Sequence, residues 1–126
     1  MQTKFIIIVV ITVLFVGGLG IFMNKNSNIA DSGKLDIFAQ CLKTNGAEFY
    51  GAFWCPHCQD QKKIFGSSKQ YIPYIECSTP DGKEQNKVCK DKKIEGYPTW
   101  IFADGTQASG LQTLEQLSNK TKCPLP

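Results

Sequence analysis

Apolar positions in this chain follow three different patterns, and the first has no polar face at all. Phe5 to Phe22 (FIIIVVITVLFVGGLGIF) runs 18 residues without a charge. Phe5 to Val16 contains only apolar residues and Thr, which does not fit a surface helix with one wet side. The length is at the lower end for crossing a bilayer. No Ala-x-Ala cleavage site follows it. The pattern therefore favours an uncleaved signal anchor over residues 1–23, against a signal peptide with an h-region of Phe5 to Val16 cut after Gly18-Leu19-Gly20, and either one exports the rest of the chain. Asn24 to Gly33 is polar and reads as a linker, leaving residues 34–126 as one folded domain.

Inside that domain the periods of helix and strand alternate. Leu35, Phe38 and Leu42 recur at helical spacing until Asn45-Gly46 stops them, and Cys41 lies near their stripe. Ala47 to Trp54 (AEFYGAFW) is short and aromatic-rich and reads as a buried strand. Cys55 opens a helix that runs to about Phe65, with Pro56 in the first turn and Gly66 closing it. Tyr71 to Cys77 predicts a strand, loosely paired at Pro73. Thr79-Pro80-Asp81-Gly82 is a turn, and Glu84 to Lys93 reads as a polar helix. Thr99 to Ala103 is a strand, Asp104-Gly105 a hairpin turn, and Thr106 to Ser109 its return. Thr113 and Gln116 fit a capping box for a last helix with Leu114 and Leu117 inward. The order α-β-α-β-α-β-β-α predicts an α/β domain. A strand–helix–strand crossover gives a parallel pair and the final hairpin adds antiparallel strands, so the sheet is mixed and flanked by helices.

Composition narrows the class. At 126 residues, 42% hydrophobic and 20% charged, the chain has room for one modest core. The net charge of +3 comes from scattered lysines, with short pairs at Lys62-Lys63 and Lys92-Lys93. These read as solvated faces, and no dense basic stripe argues for nucleic acid. Six cysteines are many for this length, and an even count suits disulfides in an oxidising compartment.

The candidate chemistry sits at Cys55-Pro56-His57-Cys58. Cysteines at i and i+3 on a first helical turn share one face, within bridging range. Cys55, at the helix N-terminus, faces free N–H groups and the positive end of the macrodipole, which favour the nucleophilic thiolate. Cys58, one turn inside, would be the resolving thiol. His57 can lend Cys55 a hydrogen bond or positive charge, which stabilises the reduced pair and points toward an oxidant or isomerase. A static disulfide or half of a metal site are the competing readings. A tetrahedral zinc site needs a second pair with matching spacing, which Cys77 and Cys89 do not provide. Trp54 and the strand before the pair favour redox chemistry. Neither a metal nor a cofactor is expected.

Gly96-Tyr97-Pro98-Thr99 resembles the cis-proline loop that faces the CxxC pair in thioredoxins, and the element order is similar to the thioredoxin-like layout. Phe49 to Cys58, then Gln61-Lys62 and Phe65-Gly66, looks like the thioredoxin-like domain fused to bacterial and plant vitamin K epoxide reductase homologues. Tyr74 to Cys77 and Gly96 to Trp100 are similar to that family too, so the resemblance spans about Leu35 to Lys120. It implies a cis Pro98 and a substrate-facing surface at Trp54, Pro56 and Tyr97. It also implies disulfide exchange with cysteine-containing exported proteins and electron transfer to a quinone through a membrane bundle. This chain has one apolar segment and no bundle, so a separate quinone-linked membrane oxidase, a vitamin K epoxide reductase homologue or similar, is the expected partner. A membrane-anchored reductant of the cytochrome-maturation type and a copper or zinc module are the alternatives. Phe49 stands six residues before the first cysteine, where thioredoxin has a buried carboxylate, and Glu48 beside it should face the other way. The remaining four cysteines allow three pairings. The resemblance supports Cys77–Cys89, and Cys41–Cys123 then follows by elimination.

Overall fold

The computed structural model describes residues 33–126. The expected anchor and all but the last residue of the expected linker lie outside them. No helix among the described residues is long and apolar enough to cross a membrane.

Helix α1 (Asp36–Thr44) buries Phe38 and Leu42, as their spacing predicts, and Ala39 as well, while Leu35 stands half-buried at its N-cap. Gly46, at φ +75°, turns the chain into strand β1 (Glu48–Gly51). Helix α2 (Pro56–Ile64) follows, then a 3₁₀ turn (Gly66–Tyr71), strand β2 (Tyr74–Glu76) and the short helix α3 (Lys87–Asp91). Strands β3 (Thr99–Ile101) and β4 (Gln107–Ser109) form a hairpin, and helix α4 (Leu114–Thr121) closes the domain. Thr113 and Gln116 form the capping box at the start of α4, each side chain bonded to the other's backbone N–H.

The sheet order is β2-β1-β3-β4. β1 runs parallel to β2 and antiparallel to β3, and β3 pairs antiparallel with β4. This is a mixed sheet flanked by helices. Successive residues of β1 serve different clusters, as strand alternation requires. Phe49 stacks on its cross-strand partner Trp100 with centroids 4.9 Å apart and meets Tyr74 edge-on at 5.2 Å. Those rings join Phe38, Leu42, Phe65 and Leu117 in the main core, together with Cys55 and Cys58. Each large side chain buried there contributes roughly 1.5–3 kcal/mol. Tyr50 belongs to a smaller cluster with Cys77, Cys89, Ile94 and Ile101. Glu48 accepts the Tyr50 hydroxyl proton at 2.7 Å, so that carboxylate is engaged with the smaller cluster.

Cys77–Cys89 and Cys41–Cys123 are the two disulfides. The first lies inside the smaller cluster, and the second ties α1 to the segment after α4. Gln61, fully buried on α2, accepts hydrogen bonds from Trp100 Nε1 at 3.2 Å and Gln112 N at 2.8 Å. One polar side chain thereby locks α2 to both β3 and the approach to α4.

Several elements are shorter than their sequence patterns predict, β3 ending at Ile101 and not Ala103 and β4 starting at Gln107 and not Thr106. The strand expected over Ala47 to Trp54 ends at Gly51, because Cys55 N–H bonds back to Ala52 O at 3.0 Å and turns the chain. The strand expected over Tyr71 to Cys77 keeps only Tyr74–Glu76. Its first residue instead ends the 3₁₀ turn, and Pro73 cannot donate to a ladder. The helix expected over Glu84 to Lys93 is confined to Lys87–Asp91. Gln85 forms an antiparallel bridge with Ser78, and the Asn86 amide is spent on Glu76 O and Ser78 O.

Candidate functional site

The turn at Ala52 delivers Cys55 to the N-cap of α2, with Pro56 at the first helical position. Proline needs no partner there for an N–H it lacks. The Cys55 sulfur accepts a hydrogen bond from Cys58 N at 3.2 Å. Cys58 Sγ donates to Cys55 Sγ across 2.6 Å, so the thiols face each other just beyond the roughly 2.05 Å of a formed S–S bond. They are the free cysteines of the described residues and both are buried, Cys58 completely. Burial, and then the hydrogen bond with Cys55, push the Cys58 thiol up to about 12. His57 and Pro56 are exposed on the same turn.

The opposite wall comes from the loop before β3. The Tyr97–Pro98 peptide bond is cis, and Pro98 is buried. Pro98 O accepts Gly110 N–H at 2.8 Å, and Thr99 Oγ1 donates to Gly96 O at 2.8 Å, which fixes the loop at both ends. Tyr97 meets the Trp54 ring edge-on at 5.9 Å. Trp54, Pro56 and His57 are thus exposed chain neighbours of Cys55, and Tyr97 of the cis-proline loop meets the first of them. Cys77 and Cys89 stand apart from the sulfur pair in the smaller cluster.

Lys62 and Tyr74 lie near Cys58, and Glu76 joins them through Tyr74. Lys62, one turn on along α2, lies 3.4 Å above the centre of the Tyr74 ring, and its charge partly offsets the upward push on Cys58. Burial holds the Lys62 ammonium below its usual range. Tyr74 donates its hydroxyl to Glu76 Oε2 at 2.7 Å, and Glu76 Oε1 accepts from Phe53 N and Ser78 N at 3.2 and 2.9 Å. A charged cluster therefore flanks Cys58 although Phe49 occupies the strand position discussed above. A lysine seven residues after Cys55 and a tyrosine on the next strand have no spacing signature that would reveal this.

Gly51 lets the pieces meet. A Cβ there would stand 2.9 Å from Tyr74 Cε2 and 3.0 Å from Cys58 Sγ. Among the described residues no three His, Cys, Asp or Glu side chains are grouped to hold a metal ion. The arrangement suits two-electron chemistry between paired sulfurs: one at a helix N-cap, one buried behind it, with an aromatic rim outside.

The chain is similar to the thiol-disulfide oxidoreductase LTO1 of Arabidopsis thaliana, 42% identical over 82 residues that cover 61% of this chain and 22% of that protein. It is also similar to a thioredoxin domain-containing protein 5 homolog of Drosophila melanogaster, 30% identical over 97 residues that cover 65% of this chain and 22% of the relative. The chain thus spans about a fifth of the length of these curated relatives. The thioredoxin family model matches residues 40–122, from α1 through the cysteine pair and the cis-proline loop to the end of α4. With a match over that much of its length, the chain belongs to the thioredoxin family.

Proposed function

We propose that this domain is a thiol–disulfide oxidoreductase that works through Cys55 and Cys58. One observation carries the reading: the Cys55 sulfur caps α2 and accepts Cys58 N–H, with the buried Cys58 sulfur 2.6 Å behind it. Similarity to an oxidoreductase of that class supports it.

In the oxidising direction the cycle starts from the Cys55–Cys58 disulfide. A substrate thiolate attacks Cys55 Sγ, and the electron pair of the broken S–S bond leaves on Cys58, which takes up a proton. A second substrate thiolate attacks its own sulfur in the mixed disulfide. The substrate departs as a disulfide and Cys55 as a thiolate, held by the Cys58 N–H and the helix dipole. The two electrons now on the cysteine pair must pass to an oxidant.

An N–H of the exposed His57 imidazole, donated to the Cys55 thiolate, would stabilise the reduced pair and favour this direction. Trp54, Pro56 and Tyr97 form the surface that receives the substrate chain. The segment over residues 1–23 tethers the domain to a membrane on its extracytoplasmic side. Two disulfides outside the redox pair support an oxidising compartment. Exported cysteine-containing proteins are then the substrates, and a separate quinone-linked membrane oxidase is the acceptor.

Two measurements test the reading. Cys58→Ala should accumulate mixed disulfides on Cys55 in cells, and an empty trap removes the oxidoreductase assignment. The potential of the pair should lie well above the roughly −270 mV of thioredoxin, toward the roughly −180 mV of protein disulfide isomerase. A value at the thioredoxin end leaves the enzyme standing but reverses its direction.

A further inference from the structure

Phe53 and Trp54 are large apolar side chains left 48% and 52% exposed beside the reacting sulfurs. A free indole at that position could fold down and cover its own apolar surface. Here it is held upright. Trp54 Nε1 donates to Ser78 Oγ at 2.9 Å, and that buried hydroxyl in turn donates to Thr79 O at 3.0 Å. On the other side the indole meets Tyr97, whose hydroxyl accepts from Gln85 Nε2 at 2.8 Å. The same Gln85 nitrogen donates to Ile94 O at 2.8 Å, so both of its hydrogens are committed.

Ser78 and Gln85 belong to one loop and pair with each other across it as an antiparallel bridge. Cys77–Cys89 closes the loop covalently. Thr79 N donates to Glu84 O, Glu84 N to Thr79 Oγ1, and Gly82 N to Thr79 O, at 2.9, 3.1 and 2.9 Å. Gly82, at φ +73°, supports the rim at close range: a Cβ there would stand 3.6 Å from Trp54 Cδ1 and 3.9 Å from Phe53 Cζ. The loop is braced internally and, besides the Cys77 N–H bond to Gly51 O at 2.7 Å, meets the rim at Trp54 and Tyr97.

We propose that this disulfide-closed loop determines substrate specificity. Ser78 and Gln85 act as positioning residues that fix Trp54 and Tyr97 as a preformed wall for an apolar side chain next to the substrate's reacting cysteine. A rigid aromatic surface binds with little loss of side-chain freedom, which favours pockets held this way. The polar groups that do the holding are buried or half-buried under the rim, so the surface offered to the substrate is mostly apolar. The inference rests on the exchange reading above and adds the side-chain class that the site selects.

The experiment compares two reduced dithiol peptides that differ only beside the reacting cysteine, one with Phe and one with Ser. The oxidised full-length chain in detergent is the catalyst, with excess glutathione disulfide as the terminal oxidant that takes the two electrons and re-forms the Cys55–Cys58 disulfide, each rate being corrected for the reaction without protein. Wild type should prefer the Phe peptide through KM rather than kcat. Ser78→Ala and Gln85→Ala should each raise KM for that peptide about fivefold, the loss of roughly one hydrogen bond. Ser78→Thr, which keeps the hydroxyl, should restore the preference, and the reduction potential should not move in any variant. If wild type oxidises neither peptide, the exchange reading fails. If wild type oxidises both equally, or both alanine variants keep its preference, the specificity proposal fails while the exchange reading stands. Gln85→Ala keeps the test decisive should Ser78→Ala fold poorly, since the two residues hold different rings.

Discussion

Gly51→Ala is the most revealing single change at this site because it adds one methyl where the backbone is already crowded. The new carbon would stand 2.9 Å from Tyr74 Cε2, 3.0 Å from Cys58 Sγ and 3.4 Å from Cys58 Cβ. A contact of that kind is relieved cheaply only if a neighbour can swing away. Tyr74 cannot do so easily, since Phe49 abuts it at 5.2 Å, Lys62 sits over its face at 3.4 Å and Glu76 holds its hydroxyl at 2.7 Å. Cys58 is fully buried in the main core. Overpacking of a tight core costs about 1–3 kcal/mol, and these restraints place Gly51→Ala at about 2 kcal/mol. For a domain of this size that is a fall in Tm of about 10 °C. Thermal unfolding of the reduced protein, followed by circular dichroism, measures it. Gly96→Ala is the control: a Cβ there meets nothing within 4 Å, and the change should stay within about 0.5 kcal/mol. A Gly51→Ala protein melting within about 2 °C of wild type, or a Gly96→Ala protein equally damaged, would refute the crowding argument.

Alkaline unfolding should separate the two redox states. In the reduced protein Cys58 is raised to about 12 by burial and by its bond with Cys55, so its contribution is full below the unfolded thiol range and fades as pH climbs toward 12. The disulfide form has no such proton to lose, while Tyr50 and Tyr74, raised by burial and their glutamate partners, act in both. Reduced minus oxidised stability should therefore fall between pH 9 and pH 12, as read by urea titrations of both forms, and a flat difference contradicts it. Opening Cys41–Cys123 by double alanine substitution should cost about 4.5 kcal/mol in the chain-entropy model, against about 3 kcal/mol for the shorter Cys77–Cys89 loop. Chemical denaturation checks the order, and a larger loss at Cys77–Cys89 reverses it. Thr113→Ala should remove about 1 kcal/mol through the cap of α4, and an unchanged urea midpoint argues against the capping box.

Local chemistry was readable along the chain, and the distant relations that were readable, both disulfides and the cis Pro98, came through the resemblance and through elimination among the cysteines. Phe38 and Leu42 on α1, Pro56 and Gly66 around α2, and the Thr113 capping box each express a rule that acts within a few residues. Element lengths were overestimated where a tertiary contact interrupts a pattern. The apolar run continues through Ala52, Phe53 and Trp54, but the Ala52 turn removes them from the strand and turns the last two into the rim. The polar stretch from Glu84 has helical composition, yet Gln85 and Asn86 are drawn into contacts with Tyr97, Glu76 and Ser78. At the site, Cys55 and Cys58 stand out because their spacing is itself the chemistry. Lys62, Tyr74 and Glu76 fall in stretches that resemble the family, but their contacts across the sheet are not legible in the sequence, and Ser78 and Gln85 act across a loop with nothing in their identity or spacing to mark them.

The Cys41–Cys123 bond also bears on how the domain answers a pull. Its partners are 82 positions apart and lie near the two ends of the described region. Tension applied at those ends runs from the first turns of α1 through the sulfur–sulfur bond and out along the last three residues. The sheet, the cysteine pair and the cis-proline loop lie inside the closed ring, off that line of force. A client bonded to Cys55 loads that sulfur directly, whereas a pull between the two ends of the described region passes through Cys41–Cys123 and bypasses the sulfurs at which the domain works.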